Sequence, residues 1–302
     1  MRQTLPFQAT ILVDISSHCY STTITDFKED AIASSFLLIT FEGFVKVWYS
    51  FSDNKKGASE MAENPQENAE NKEKPLTEEE ILAYLYPKSY ECPVCDKEFT
   101  EFILRKSKLR VVTVETDFRT IYKDIDPNHY EVIFCSHCGY ATLHNYFDSP
   151  TERQRKLIKE KICSVYKPHE FIMPLPLESV MERYKQALKC ADAIEAKESQ
   201  KAFICLKLAW VLRGKGDKEK EMIFLKQAYE GLKLAFGQER FPLGAMDEST
   251  AKYVIADLAR RLGEMGEAMR WVGDVVVARG IPGALKERAS LLKDLIREGS
   301  RE

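Results

Sequence analysis

The chain carries two cysteine pairs of identical spacing, Cys92-Pro93-Val94-Cys95 and Cys135-Ser136-His137-Cys138. A C-x-x-C hook presents two sulfurs from one tight turn. Two hooks supply four thiolates, the set that closes a tetrahedral zinc site and leaves no open position for water or substrate. One structural zinc ion on Cys92, Cys95, Cys135 and Cys138 is therefore expected. Iron in the same sulfur cage is the lesser alternative, and a redox-active C-x-x-C is another. Two hooks flanking one β-rich segment fit a shared site better than hooks acting alone. Residues 96–134 form a longer insertion than compact zinc sites use, so they must build their own strands and return to the metal. Pro93 stiffens the first turn through its fixed φ, and Gly139 suits a positive φ after the second. His129, His137 and His144 lie near the hooks in sequence. Each could replace a thiolate, but a surface histidine is the preferred reading of each.

A second group of interest is Asp117-Phe118-Arg119 with Tyr122. An acid and a guanidinium around an aromatic could pair with each other to fix a loop of a small ribbon, or bind a ligand. Arg105, Lys106, Lys108 and Arg110 make a basic stretch, and Arg153, Arg155, Lys156, Lys159 and Lys161 make another that Glu152 and Glu160 dilute. Phosphate contacts need such cations; a solvated strand or helix face explains them as well.

The elements that must position these residues can be read around them. Thr77 and Glu80 have capping-box spacing ahead of Ile81, Leu82 and Leu85, predicting a short helix to about Pro87. Phe99, after the first hook, is a candidate apolar cover for the metal. Leu109, Val111, Val112 and Val114 mark a strand, Asp126-Pro127-Asn128 a turn, and Tyr130–Phe134 a strand that delivers Cys135. Ser149-Pro150-Thr151-Glu152 reads as a helix start with Ser149 as N-cap, Pro150 at the first helical position and Glu152 closing the box.

From there the chain is helical in period and shows a weak internal repeat. Ala209, Gly216 and Ala228 take the small-residue and turn positions of a tetratricopeptide unit, with Leu208, Leu212 and Leu225 as apolar partners. Ala256 and Gly263 match Ala209 and Gly216 at a step of 47 residues, and Ala268 stands at the next close-packing position. That step exceeds the usual repeat, and Glu221 sits where a small residue is expected. An extra turn or helix near residues 237–247 would absorb the difference. The fold expected is thus mainly α, a tetratricopeptide-like repeat or bundle over residues 149–298, preceded by a small β-rich zinc ribbon over residues 77–148.

Composition bounds the rest. With 302 residues, 44% hydrophobic content and net charge -3, the chain can bury a core, and its bulk charge argues against an obligate nucleic-acid or membrane surface. No apolar stretch is long enough to span a bilayer; Ser35–Phe51 is broken by Glu42 and Lys46. Eight cysteines, four of them in hooks, point to a reducing, cytoplasmic setting. Cys163, Cys190 and Cys205 fall in helical patterns as small packing residues, and Cys19 is uninformative. Residues 61–76 read as an acidic flexible linker, with seven acids and two lysines between 61 and 80. Residues 1–60 look foreign to the remainder. Lys56-Gly57-Ala58 can be encoded by a purine-rich ribosome-binding sequence, so translation is expected to start at Met61, with residues 1–60 a gene-calling extension.

The run Tyr90–Cys95 with Phe99, then Glu115–Arg119 and Tyr122, then Tyr130-Glu131-Val132 leading into Cys135–Ala141, resembles a bacterial family of unknown function. Leu206–Trp210 with Arg213, and Arg260–Gly263 with Ala268, are similar to it too. The resemblance covers roughly residues 77 to 280. It implies a cysteine-rich module joined to tetratricopeptide-like helices, and no activity or catalytic residue. His137 departs from the Pro or Asn more common in such hooks. The reading that explains most residues is a non-enzymatic adaptor, zinc-stabilised, binding a protein or peptide through its helices. A nucleic-acid-binding ribbon is the first alternative, and a thiol redox or zinc-dependent enzyme the second.

Overall fold

The computed structural model describes residues 76–148 and 150–301. The expectations for residues 1–60, for the acidic tract over 61–75, for Cys19 and for Ser149 lie outside them. All described residues belong to one compact unit. Within it, the amino-terminal part is built from three antiparallel strand pairs: β1 (Leu85–Glu91) with β2 (Glu98–Leu104), β3 (Val111–Val114) with β4 (Thr120–Tyr122), and β5 (Val132–Phe134) with β6 (Ala141–Leu143). Each pair is too small to stand alone in water, and each leans on the helices that follow.

A short helix α1 (Glu78–Leu82) opens the described chain. Its capping box is formed as its spacing predicts, Thr77 receiving the Glu80 N–H and Glu80 reaching back to Thr77. The helix stops well before Pro87, however. It buries no side chain, whereas Leu85 is buried once the chain becomes strand β1. Pro87 lies inside that strand, opposite Phe102, on a two-stranded sheet where its missing N–H is tolerated.

Helix α2 (Glu152–Ile158) likewise starts later than its sequence suggests. The N-cap is Thr151, which exchanges hydrogen bonds with Gln154; Pro150 precedes the cap rather than following it, and Glu152 is the first helical residue. Both Ser149/Glu152 and Thr151/Gln154 have box spacing, and the second pair closes. The helix continues through a π-turn over Lys159–Cys163.

Six longer helices complete the unit: α3 (Leu177–Ala193), α4 (Glu198–Gly214), α5 (Lys218–Gln238), α6 (Glu248–Arg261), α7 (Met265–Val277) and α8 (Gly283–Gly299). Among the described residues the protein is thus mainly helical with small antiparallel strand pairs. The α4–α5 and α6–α7 turns share one geometry. Gly216 and Gly263 take φ of +75° and +82°, and the residue after each donates to a carbonyl five positions back, Asp217 to Leu212 and Glu264 to Ala259. These are left-handed glycine C-caps that satisfy the last helical carbonyls. Ala209, Ala228, Ala256 and Ala268 are all fully buried, which lets their helices approach closely. Residues 239–247 form an irregular connection with one isolated bridge, Leu243 to Met246, and no additional helix.

The ribbon and the helices share a core. Val132, Ile133, Phe134, Ala141 and Leu143 are buried. Below them, α3 offers Arg183, Tyr184, Gln186 and Cys190, spaced so as to face one side of a helix. Tyr184 donates to the Asn128 carbonyl at 2.8 Å. Arg183 makes a buried ion pair with Glu101 at 2.9 Å and also donates to the Val132 carbonyl.

Candidate metal centre

The two hooks are the tips of two hairpins. Strand β1 runs into Cys92 and β2 leaves after Cys95; β5 runs into Cys135 and β6 leaves after Cys138. Their backbones repeat one another. In the first, the Asp96 N–H donates to the Cys92 carbonyl at 2.9 Å and the Cys92 N–H to the Lys97 carbonyl at 3.0 Å. In the second, Gly139 donates to Cys135 at 2.9 Å and Cys135 to Tyr140 at 2.8 Å. Both turns close with a left-handed residue, Asp96 at φ +57° and Gly139 at +74°.

These turns bring all four sulfurs together. Their Sγ atoms lie within 4.8 Å of one another, with Cys92 to Cys138 at 3.6 Å and Cys95 to Cys135 at 3.8 Å. The separations are too long for a disulfide, whose S–S bond is about 2.05 Å. They match the edge of a tetrahedron whose centre lies about 2.3 Å from each sulfur, an edge of roughly 3.8 Å. The donor set and its spacing therefore fit a metal ion such as zinc, and Cys92, Cys95, Cys135 and Cys138 would hold it. Three of the four are buried and Cys95 is partly exposed.

The electrostatics fit an anion cage that wants a cation. The neighbouring Cys138 and Cys92 thiols hold the Cys135 pKa far below the usual thiol range. In return Cys92 is pushed up to about 12, chiefly by Cys135, and Cys138 is pushed up by Cys135 and Cys92. The sulfurs contend for protons because they are crowded, and a bound cation would remove that contention, since metal ligation deprotonates thiols.

No histidine joins the cluster among the described residues. His137 instead bridges the hooks from outside, its Nε2 lying 3.0 Å from the Glu98 carbonyl. His129 sits away from the sulfurs beside Asp126, and burial lowers its pKa. Phe99 joins Tyr90 and Phe147 in an aromatic cluster that also includes Tyr140.

Side chains outside the cysteines grip the second hook. The Gly139 carbonyl accepts from Gln186 Nε2 at 2.8 Å, and Cys190 Sγ accepts from the Ala141 N–H at 3.4 Å. The Tyr166 ring lies so close to Gly139 that a Cβ there would approach it to 2.5 Å. Glu101 accepts from the Phe134 N–H at 3.0 Å, one residue before Cys135. Burial pushes the Glu101 carboxyl upward while Arg183 pulls it back. Sequence alone missed this support. Its one local signal was an acid between two phenylalanines, Phe99 and Phe102, in a strand pattern.

The other candidate group lies on the β3–β4 turn, and its members do not pair as a loop of their own. Asp117 is buried. It accepts from Trp210 Nε1 at 3.0 Å and pairs with Arg213 at 2.8 Å and Arg261 at 3.6 Å. The Arg119 side chain turns to Asp126 at 3.5 Å and Glu115 at 3.8 Å, and its contact with Asp117 is through the backbone N–H. The Arg119 guanidinium lies against Gly214, where a Cβ would come within 2.6 Å of it. Glu115 also pairs with Arg213. Phe118, at φ +65°, packs on Tyr253 with the Arg288 guanidinium over its ring. Tyr122 is half-buried in β4 opposite Val111 and takes no part in this network. Asp257, fully buried between Ile255 and Leu258, holds Arg260, Arg261 and Thr116. A carboxylate inside an apolar run with arginines three and four residues later was the signal for it.

Over residues 85–300 the chain matches the family described as "Uncharacterized protein conserved in bacteria (DUF2225)". No curated protein and no solved structure matches it.

Proposed function

The chain belongs to this bacterial family, and we propose that it works as a non-enzymatic interaction protein, stapled by one structural zinc ion and binding a protein or peptide partner through its helices. What carries the reading is the set of four thiols at tetrahedral spacing. A metal held by four thiolates has no open coordination position, whereas catalytic zinc keeps one. Tetratricopeptide-like stacking of α4–α5 on α6–α7 is part of the proposal, and the paired glycine turns and buried alanines support it.

The side chains of Arg213, Tyr253 and Arg261 are already engaged by Asp117 and Phe118 of the β3–β4 turn, so we place the partner surface elsewhere. The outward side of α8 suits it better. Leu291 and Leu295 are exposed there one turn apart, at 66% and 41%. Metal analysis and X-ray absorption of purified protein test the zinc, with one ion per chain and four sulfurs at about 2.3 Å expected. Three sulfurs and a water at the metal would instead favour an enzyme. For the partner, a photo-crosslinker at Leu291 should trap a defined protein, and Leu295→Glu should abolish the adduct. A crosslinker that traps nothing in cells while the zinc site is full counts against the adaptor.

A further inference from the structure

Among the described residues two groups of cations contrast. Those between ribbon and helices, Arg119, Arg183, Arg213, Arg260 and Arg261, all have carboxylate partners. Those at the open end of the β1–β2 hairpin do not. Arg105, Lys106, Lys108 and Arg110 fall within six consecutive residues that contain no acid. All four are exposed. Among the described residues none forms an ion pair.

Lys108 Nζ donates to the Ala83 carbonyl at 2.8 Å, which leaves its charge without a carboxylate, and two of the four cations lie over tyrosines. The Arg105 guanidinium is 5.1 Å from the centre of the Tyr86 ring, and the Lys108 ammonium 5.7 Å from that of Tyr84. Tyr84 and Arg105 are hydrogen-bonded neighbours at the mouth of the hairpin, so the two tyrosines and their cations share one end of it. Arg110 lies beside the same surface: its carbonyl accepts from the Lys123 N–H, and the next residue, Asp124, accepts from the Tyr84 hydroxyl. The carboxylates felt by Tyr84 are those of Asp124 and Glu80. Asp124 accepts from the Tyr84 hydroxyl and Glu80 closes its capping box; both keep their charge, so the four cations outnumber these two carboxylates and the face stays net positive.

We propose that this face, Tyr84, Tyr86, Arg105, Lys106, Lys108 and Arg110, binds single-stranded nucleic acid. Unpaired cations track a phosphate backbone, and half-buried tyrosines offer ring faces on which unstacked bases lie. Duplex is the poorer ligand because its bases are not free to stack. The site lies on the ribbon, and it stands whether or not α8 finds a protein partner.

The test is fluorescence anisotropy of the full zinc-loaded chain with a labelled oligothymidylate of about 12 nucleotides, a length that spans a site of this size. With four phosphate contacts, affinity should fall with salt at a log–log slope of about -3 between roughly 50 and 200 mM. The triple variant Lys106→Gln, Lys108→Gln, Arg110→Gln should bind at least about tenfold more weakly and cut the slope by about 2. Tyr86→Leu should weaken binding several-fold and leave the slope unchanged. The control Arg153→Gln, Lys156→Gln, Lys159→Gln, on α2, should bind like the parent. Each variant is checked for a full complement of zinc, so that a failure to fold is not read as a failure to bind. Absence of binding, salt-insensitive binding, or a triple variant that binds like the parent overturns the proposal. So does equal affinity for polyglutamate or anionic vesicles, which would reduce the face to a bare attractor of anions.

Discussion

Asp96 and Gly139 occupy the same place in the two hooks, and their neighbours differ. The left-handed conformation costs a non-glycine residue about 1–2 kcal/mol, less for Asp or Asn. At position 96 nothing else argues against glycine, so Asp96→Gly should leave zinc-loaded stability unchanged or raise it by up to about 1 kcal/mol. Gly139→Ala meets both the positive φ and the Tyr166 ring at 2.5 Å. It should destabilise by about 2 kcal/mol or more, because backbone strain and overpacking add. Denaturant unfolding of both zinc-loaded variants checks the pair; equal effects would mean that the Tyr166 contact carries no weight. Asp117 poses the converse problem. Replacing it by alanine removes one of several carboxylates around Arg213 and Arg261, which keep Glu221 and Asp257, and leaves Trp210 Nε1 without its acceptor, a loss that costs about 1–3 kcal/mol. Asp117→Asn keeps an acceptor for Trp210 Nε1 and should cost visibly less. A loss below about 1 kcal/mol for Asp117→Ala would show the turn to be held by Phe118 rather than by charge. The four cysteines could be read from sequence because their geometry is local to each hook. The company kept by Asp117 could not, since Trp210 lies 93 positions away and no periodicity encodes such a separation.

At the scale of elements, Thr77 reads as a helix start because its side chain can reach its own backbone, and Asp247 and Asp217, which sequence alone did not single out, start helices in the same way. Asp247 caps α6 by accepting the Thr250 N–H at 2.7 Å, and Asp217 caps α5 by accepting from Lys220 at 3.1 Å. The hydrogen bond with Thr250 lowers the Asp247 carboxyl below its usual range, as Lys220 does for Asp217. The sign follows directly. A depressed folded-state pKa means stability present above the unfolded value of about 3.9 and lost as pH falls through the folded one. Asp247→Ala should therefore cost about 1 kcal/mol near neutral pH, and the gap between variant and parent should close on acidification below the usual carboxylate range. Paired urea titrations at neutral and acid pH measure it; a gap that persists in acid would assign the effect to helix propensity rather than to the charged cap. Where the elements departed from expectation, burial had decided. Helix α1 ends once Leu85 can be buried by a strand. Of two overlapping capping boxes at the start of α2, sequence gave no physical ground for choosing Thr151 over Ser149. The strands of the ribbon were legible from their β-branched residues, but Val111, Val112 and Val114 are exposed, so apolar character there marked a strand without marking a core.

At the scale of the whole molecule, the four-cysteine cluster and the helices belong to one compact unit, and this bears on what removing a metal such as zinc from the cluster would do. A ribbon free of the helices would lose its staple and unfold alone. Here Glu101 is locked to Arg183, the Gly139 carbonyl to Gln186, the Ala141 N–H to Cys190 and the Asn128 carbonyl to Tyr184, all on α3. Zinc contributes about 10–16 kcal/mol in finger peptides at neutral pH, more than the apolar area of β5 and β6 can replace. Once the hooks open, Arg183 loses its buried partner, and an uncompensated buried charge is not tolerated. Disruption should then run from residues 90–145 into α3 and weaken the network around Asp117. The α4–α5 and α6–α7 pairs, in which Ala209, Ala228, Ala256 and Ala268 are fully buried, should keep most of their protection. Hydrogen exchange with and without a strong chelator resolves this by segment. Exposure should appear at 92–95, 132–143 and 177–193 together and leave 218–235 protected. Loss confined to the hooks would show that the ribbon stands on its helical contacts alone, and uniform loss over 76–301 would show that the helical pairs have no stability of their own. The same experiment on the double variant Glu101→Gln, Arg183→Met, which removes both buried charges and keeps an acceptor for the Phe134 N–H, should shorten the spread into α3 even though every cysteine is intact.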